Sequence, residues 1–530
     1  MKKVLFFIFP MLAVTLFSCS SNTTKKLVDD EGRIAYKKDL KFINESKVFT
    51  SVKDSKISTY YFEDNIPYVT IDGYVNSVDY YDKEVTVTDD FDYIFEDKNE
   101  YLKHIRLDIE KNCIIIYDFQ FFSVDEKEYN IDPTYNKYLS MTIDEVDEDI
   151  PVIIDLDKYD INLKKFNNNI YIPFHIINAI FSCDSYYFLY YIGNSYLGYS
   201  YEDYLNIDSI KKRQNIKNDS SYTLFNYNFL RLMFNEFYGL KDYKDLDIDK
   251  MFEDEKEHLI ETPKFIGTTK KMIASLNDCH TSYVGYCDLF SDSLNYYRSN
   301  REINMSNVSS TLRLNYYQEY EEAYGGITKL SDTAAMISFD SFYMSEEDGS
   351  AQKLKDYLDE CGTNGYEDII IDVSRNGGGD TFALAQVLGL LTNDDISLDF
   401  YNVRTNHYTK EVFKVDSNFD SDFTDDDAYT NFNYYVLSSG YTYSCANDFV
   451  NYCKIHNLAP ILGKKSGGGG CCIAPFVTPS GAYILMSSLY GLKDSNGILC
   501  EDGIDVDYEI SYDNFYNKNY LIEAINYFKS

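Results

Sequence analysis

Apolar positions change their spacing along this chain, and the changes divide it. From about residue 20 to residue 220, short runs of β-branched and aromatic residues dominate, as at 57–62, 105–109 and 113–117. They predict strands with few long helices between them. Two segments look alike: NIPYVTIDGYVNSV from Asn65 and YIPFHIINAIF from Tyr171 both place Ile-Pro before an apolar-periodic stretch. Pro67 and Pro173 are therefore each expected to open a helix after a strand, where a missing N–H costs least. Over residues 221–276 the period lengthens to that of a helix, in LFNYNFLRLMFNEFYGL, KDLDIDKMFEDEKEHLIE and FIGTTKKMIASL, with Gly239 and Pro263 as stops. Beyond this the pattern alternates. Residues 334–339 (AAMISF) read as a strand, and Leu354, Tyr357, Leu358 and Cys361 make a helix face. Residues 368–373 (DIIIDV) read as a buried strand, followed by a helix from about Thr381. Residues 434–437 are strand-like, and Ala446, Phe449, Val450 and Cys453 fall at the i, i+3, i+4, i+7 spacing of a helix. The expected architecture is an α/β core over 301–530, behind a helical bundle at 221–300 and a β-rich α+β accessory region at 19–220.

Length and composition bound what such a chain can be. With 530 residues, 45% of them hydrophobic, it can bury two or three domain cores. A formal charge of -37 would repel nucleic acid and anionic lipid, so neither is expected as the main partner. Residues 1–18 form a targeting segment, with Lys2 and Lys3 ahead of an apolar run over 4–17. Ending in Leu16-Phe17-Ser18-Cys19, it resembles a bacterial lipoprotein signal peptide. That resemblance implies lipidation of Cys19 and a membrane-anchored protein facing outside the cytoplasm. An ordinary cleaved signal and an N-terminal membrane anchor are the alternatives. No later run of 18 apolar residues occurs. Cys279-His280, Cys287 and Cys471-Cys472 carry zinc-type side chains, but no CxxC pair accompanies them, so neither metal nor cofactor is expected.

Chemistry concentrates in three turns. Ser444 sits where a helix should begin, as either an N-cap or a nucleophile beside exposed backbone N–H groups. The sequence SRNGGGD between the 368–373 strand and its helix lacks both phosphate-binding spacings. Its glycines suit backbone donors facing a developing oxyanion instead. His280, one of six histidines, lies in the polar turn LNDCHTSY. An imidazole near pKa 6.5 can take a serine proton at neutral pH and return it to a leaving amine. Cys445 is a second possible nucleophile, though its place inside the helix favours burial.

The ordered set LNDCHTSY, IIIDVSRNGGGD, YTYSCANDF, ILGKKSGGGG and CEDGIDVDYEI, over residues 220–530, resembles the C-terminal-processing (tail-specific) serine proteases. Relatives of that family include the tricorn protease core and the retinoid-binding-protein-like repeats. The resemblance implies a ClpP-type β-α superhelix of the crotonase-like kind. The family's Ser-Ala-x-Glu turn falls on Ser444, Cys445, Ala446 and Asn447, making Ser444 the nucleophile and replacing the glutamate by Asn447. The lysine of Ser-Lys members falls on Gly469, so that mechanism is not implied. The tricorn-like branch implies His280 as general base, with Glu501 in CEDGID supporting the site. The backbone N–H of Cys445 and one from Gly377 or Gly378 would bind the oxyanion. Fifty residues lie between Tyr283 and Ala334, too few for a PDZ module. The chain is therefore expected to be an exported, lipid-anchored serine endopeptidase acting on protein or peptide substrates. The alternative is an inactive surface lipoprotein of the same fold that binds peptide or an apolar ligand.

Overall fold

The computed structural model describes residues 24–47, 49, 52–78, 85–88, 91–96, 102–117, 135–145, 151–200, 216, 219–284, 297–321, 324–345, 348–424, 428–494 and 496–530. The targeting segment, Cys19 and Cys287 lie outside them. Among the described residues the strands form four sheets.

The sheet that positions the chemistry runs Gly326–Lys329, Ala334–Ser338, Asp368–Asp372, Asn433–Ser438, Ile461–Gly463 and Tyr508–Glu509. All neighbours are parallel except the first pair. Ile369 and Ile371 face one side, packing with Leu354 and Leu358 of the helix Ser350–Thr363 and Phe449 and Val450 of the helix Cys445–Ile455. Ile370 faces the other, with Leu312, Leu521 and Ile525. Helices on both faces explain why residues 368–373 read as an unbroken apolar run. Burying each such Leu or Ile stabilises the fold by about 1.5–3 kcal/mol. Because Asp368–Asp372 and Asn433–Ser438 are parallel neighbours, the turns that follow them emerge side by side at one sheet edge.

Residues 25–200 build an eight-stranded mixed sheet and a five-stranded antiparallel one. Pro173 does open a helix, Phe174–Ser185. After Pro67 the chain first makes the strand Tyr68–Val69, which pairs with Ile172–Pro173, and only then the helix Ile71–Val78. Thr70 sets that delay, since its Oγ1 accepts the Gly73 N–H at 3.2 Å. The 3.6-period segments are the helices Ser220–Glu236, Ile248–Ile260 and Thr262–Ser275. Pro263 begins the third of these, where its missing N–H is harmless, rather than ending the second.

The boundary expected at residue 220 is not a boundary between cores. Strand Leu139–Glu145 pairs along its length with Tyr408–Val415. One apolar cluster also runs from Phe42 and Phe174 through Phe229 to Phe476 and Met486. Local periodicity marks where strands are, but not which distant strand they join.

Candidate active site

The strand Asn433–Ser438 ends in a turn before the helix Cys445–Ile455, and Ser444 is the residue between. Its backbone lies at φ 56°, ψ −133°, a conformation that costs a non-glycine residue about 1–3 kcal/mol. Neighbouring bonds impose it. The Ser444 N–H donates to Gly468 O at 2.9 Å, the Gly467 N–H to Thr442 O at 2.7 Å, and the Thr442 hydroxyl to Val373 O at 2.9 Å. The Ser444 side chain makes no capping hydrogen bond. The N-cap alternative is therefore set aside, and the half-buried hydroxyl stands beside the first helical N–H groups.

The glycine turn fits against this serine. Gly378 has φ 104°, and a Cβ there would lie 2.6 Å from Ser444 Cβ, 2.8 Å from Tyr443 O and 3.1 Å from Cys445 N. Only glycine leaves that space open. The Gly378 N–H itself donates to Asn376 Oδ1 at 2.9 Å in the free protein, which leaves Gly377 as the less engaged of the two expected donors. Gly377 is exposed and, among the described residues, its N–H is engaged by no backbone partner, as is that of Cys445. The Cys445 thiol is 3% exposed and donates to Gly379 O at 3.1 Å. Burial pushes its pKa well above the usual thiol range, which argues against it as nucleophile.

His280 lies between the helix Thr262–Ser275 and the strand Ser282–Tyr283, which pairs with Tyr483–Leu492. Asp278 pins that turn. It accepts the His280 N–H at 2.9 Å, the Thr281 hydroxyl at 2.5 Å and the Ser487 hydroxyl at 2.8 Å. The imidazole packs on Tyr443, ring centroids 4.8 Å apart and tilted by 60°. Among the described residues its buried Nδ1 has no hydrogen-bond partner. The structure thus brings His280 to the residue preceding Ser444, and no hydrogen bond joins the imidazole to the Ser444 hydroxyl. Burial, with Arg301 adding to it and Asp278 opposing it, lowers the His280 pKa to about 4.

Glu501, in the short helix Cys500–Asp502, is completely buried rather than a solvated loop carboxylate. It forms an ion pair with Arg301, lies 3.9 Å from Lys244, and accepts the Gly470 N–H at 3.2 Å. Burial raises its pKa while Arg301 opposes the rise. Arg301 also donates to Gly467 O at 2.5 Å and Glu501 O at 2.6 Å. Glu501 therefore reaches the serine turn through Arg301. Asn447 is buried, its amide donating to Cys500 O at 3.1 Å and its Oδ1 accepting the Ser466 hydroxyl at 2.6 Å. It joins the serine helix to the Glu501 segment. Lys464 and Lys465 pair at the surface with Glu509 and Asp505.

Sequence reasoning passed over Arg301 and Tyr443. Arg301 opens the helix Asn300–Tyr320, whose start carries a Ser299/Glu302 capping box. That signature was legible, but its position beside Glu501, 200 residues away, was not. Tyr443 was visible only as the neighbour of Ser444.

A strained serine at a strand–helix turn, set against a glycine turn, has the parts of a serine hydrolase site. Residues 333–510 match the model of peptidase family S41. Ser444, Cys445, Gly377, Gly378 and Glu501 lie within the match, and His280 lies before it. No curated protein matches the chain. Among solved structures, a protein described as a peptidase from Parabacteroides merdae is 20% identical, covering 56% of this chain and 90% of its own, with a TM-score of 0.43. Mature CPAF complexed with lactacystin is 10% identical, covering 58% and 97%, with a TM-score of 0.40. A lipoprotein from Streptococcus agalactiae is 13% identical, covering 59% and 98%, with a TM-score of 0.38.

Proposed function

We propose that this chain is an exported, lipid-anchored serine endopeptidase that cleaves peptide bonds through an acyl-enzyme on Ser444, with His280 as general base. The observation that carries the catalytic part is the Ser444 turn, a strained backbone that holds an uncapped hydroxyl beside the open N–H of Cys445. Ser444 Oγ attacks the substrate carbonyl as its proton passes to the His280 imidazole, which is neutral at pH 7. The tetrahedral oxyanion faces the N–H groups of Cys445 and Gly377, at the positive end of the helix Cys445–Ile455. Collapse returns the proton to the leaving amine, and water then hydrolyses the ester by the same route. Because His280 meets Tyr443 and not the hydroxyl in the free protein, peptide binding must bring the imidazole to Oγ, as catalytic hydrogen bonds often tighten only in the complex. Glu501 supports the turn through Arg301.

Export and anchoring rest on the Lys2-Lys3 start, the apolar run over 4–17 and Cys19. Among the described residues no helix is long and apolar enough to cross a membrane. Cys19→Ser should release the protein from the membrane fraction, and retention there would count against lipidation at Cys19.

The catalytic test is intact-mass labelling with a fluorophosphonate. An adduct is expected on the wild type, absent in Ser444→Ala and much slower in His280→Ala. A folded wild type that takes no label would favour the second reading, a peptide- or apolar-ligand-binding protein of this fold, to which the missing hydroxyl–imidazole bond also points.

A further inference from the structure

We propose that Tyr443 and Arg301 are positioning residues that form the seat on which the His280 imidazole rests in the free protein, and from which it turns to Ser444 when peptide binds, in the space a side chain at position 469 would otherwise fill. The proposal rests on the reading of Ser444 and His280 as the reacting pair. Gly469 has φ 85°, and a Cβ there would lie 2.5–2.8 Å from three atoms of the Tyr443 ring. The ring therefore lies directly against the Gly469 backbone. The ring also meets the imidazole, centroids 4.8 Å apart, and the Arg301 guanidinium, 5.1 Å from the ring centroid. Arg301 cannot swing away. Its guanidinium is held by Glu501 and two backbone carbonyls, and its backbone N–H donates to Asn277 Oδ1 at 2.8 Å, three residues before His280. The helix start, the His280 turn, the serine turn and the Glu501 segment thus meet around one aromatic ring.

Among the described residues the buried Tyr443 hydroxyl has no hydrogen-bond partner, so the ring, and not the hydroxyl, is what the seat uses. Charge follows from the same geometry. His280 is faced by Asp278 and Cys279 from its own turn, Tyr443 from the serine turn and Arg301 from the helix, with Glu501, Lys244 and Tyr238 behind. Burial first, with Arg301 adding to it and Asp278 opposing it, disfavours the imidazolium and keeps the imidazole free to accept a proton in mildly acidic conditions where an ordinary histidine is already charged. Seat and charge control together predict a peptidase that works below the usual acid limit of a Ser-His pair.

The experiment measures the fluorophosphonate inactivation rate of the full chain from pH 3.5 to 8. Tyr443→Phe should react within about threefold of wild type, whereas Tyr443→Ala should lose roughly a hundredfold, the effect of letting a reacting group shift by about an ångström. Arg301→Lys should keep the acid limb. Arg301→Met combined with Glu501→Met, which leaves no buried carboxylate alone, should raise it, because the charge that adds to burial is removed while Asp278 stays. Tyr443→Ala reacting at the wild-type rate, or an unmoved limb in the double variant, would overturn the proposal. A second measurement needs no chemistry. In Ser444→Ala, the His280 ring proton titration, assigned with His280→Gln, should have its midpoint near 4 and move up in the Arg301/Glu501 double variant. If wild type takes no label but this titration behaves as stated, the peptidase reading fails and the seat stands. A midpoint near 6.5, or one that does not move, rejects the seat whether or not the enzyme is active.

Discussion

Replacing Gly378 by alanine tests the joint between the two turns most directly. The new Cβ would lie 2.6 Å from Ser444 Cβ and 2.8 Å from Tyr443 O, where ordinary contact begins near 3.4 Å. Each of these atoms is backbone or Cβ of the serine turn, so no side chain can rotate to relieve the clash. The turns must separate by roughly 1 Å. Alanine at φ 104° adds about 1–2 kcal/mol of backbone strain, and overpacking adds about 1–3 kcal/mol. A displacement of that size at the nucleophile is expected to slow acylation about a hundredfold, equivalent to about 2.7 kcal/mol of barrier. Gly365→Ala serves as the control. Gly365 also has positive φ, 75°, but none of the described residues lies within 4 Å of its Cβ position, so it should lower thermal stability slightly and leave reactivity alone. The assay pairs the second-order labelling rate at pH 7.5 with a circular-dichroism melt. A Gly378→Ala protein that labels within threefold of wild type and melts with it would refute the packing argument.

Three further outcomes are expected. Glu501→Gln leaves Arg301 buried without its counter-charge and should destabilise the protein by about 3–5 kcal/mol, read from urea unfolding. Asn447→Leu strips partners from Cys500 O and the Ser466 hydroxyl and should cost about 1–3 kcal/mol in the same assay. His280, lowered to about 4, and His175, lowered to about 3 by complete burial, are both neutral in the folded state where the unfolded chain already binds a proton. Their contribution is therefore fully present above about pH 6.5 and is lost as pH falls from there through 4, by at most about 3 kcal/mol for His280. Urea midpoints measured in steps from pH 7 to 4 should fall, and His280→Gln should flatten that slope.

How much of this was legible beforehand depended on range. The parallel sheet was readable because strands covered on both faces show as short apolar runs, and residues 334–339, 368–373 and 434–437 all became neighbours in it. The serine and glycine turns were readable because each follows one of those strands and parallel strands bring their ends together. Pro67 misled because Thr70, three residues later, competes for the helix start. That the Gly378 N–H meets Asn376, two residues earlier, was not legible, because it depends on how the turn folds back on itself.

By itself, then, the sequence determined the local elements and the candidate chemistry, since spacing, turn residues and side-chain types are properties of short stretches. Only the tertiary structure decided that Leu139–Glu145 joins the catalytic half of the molecule, that Arg301 stands between Glu501 and the serine turn, and that the Tyr443 ring lies against Gly469 beside His280. Those relations are set by the packing of segments far apart in the chain, and packing leaves no periodic trace along it.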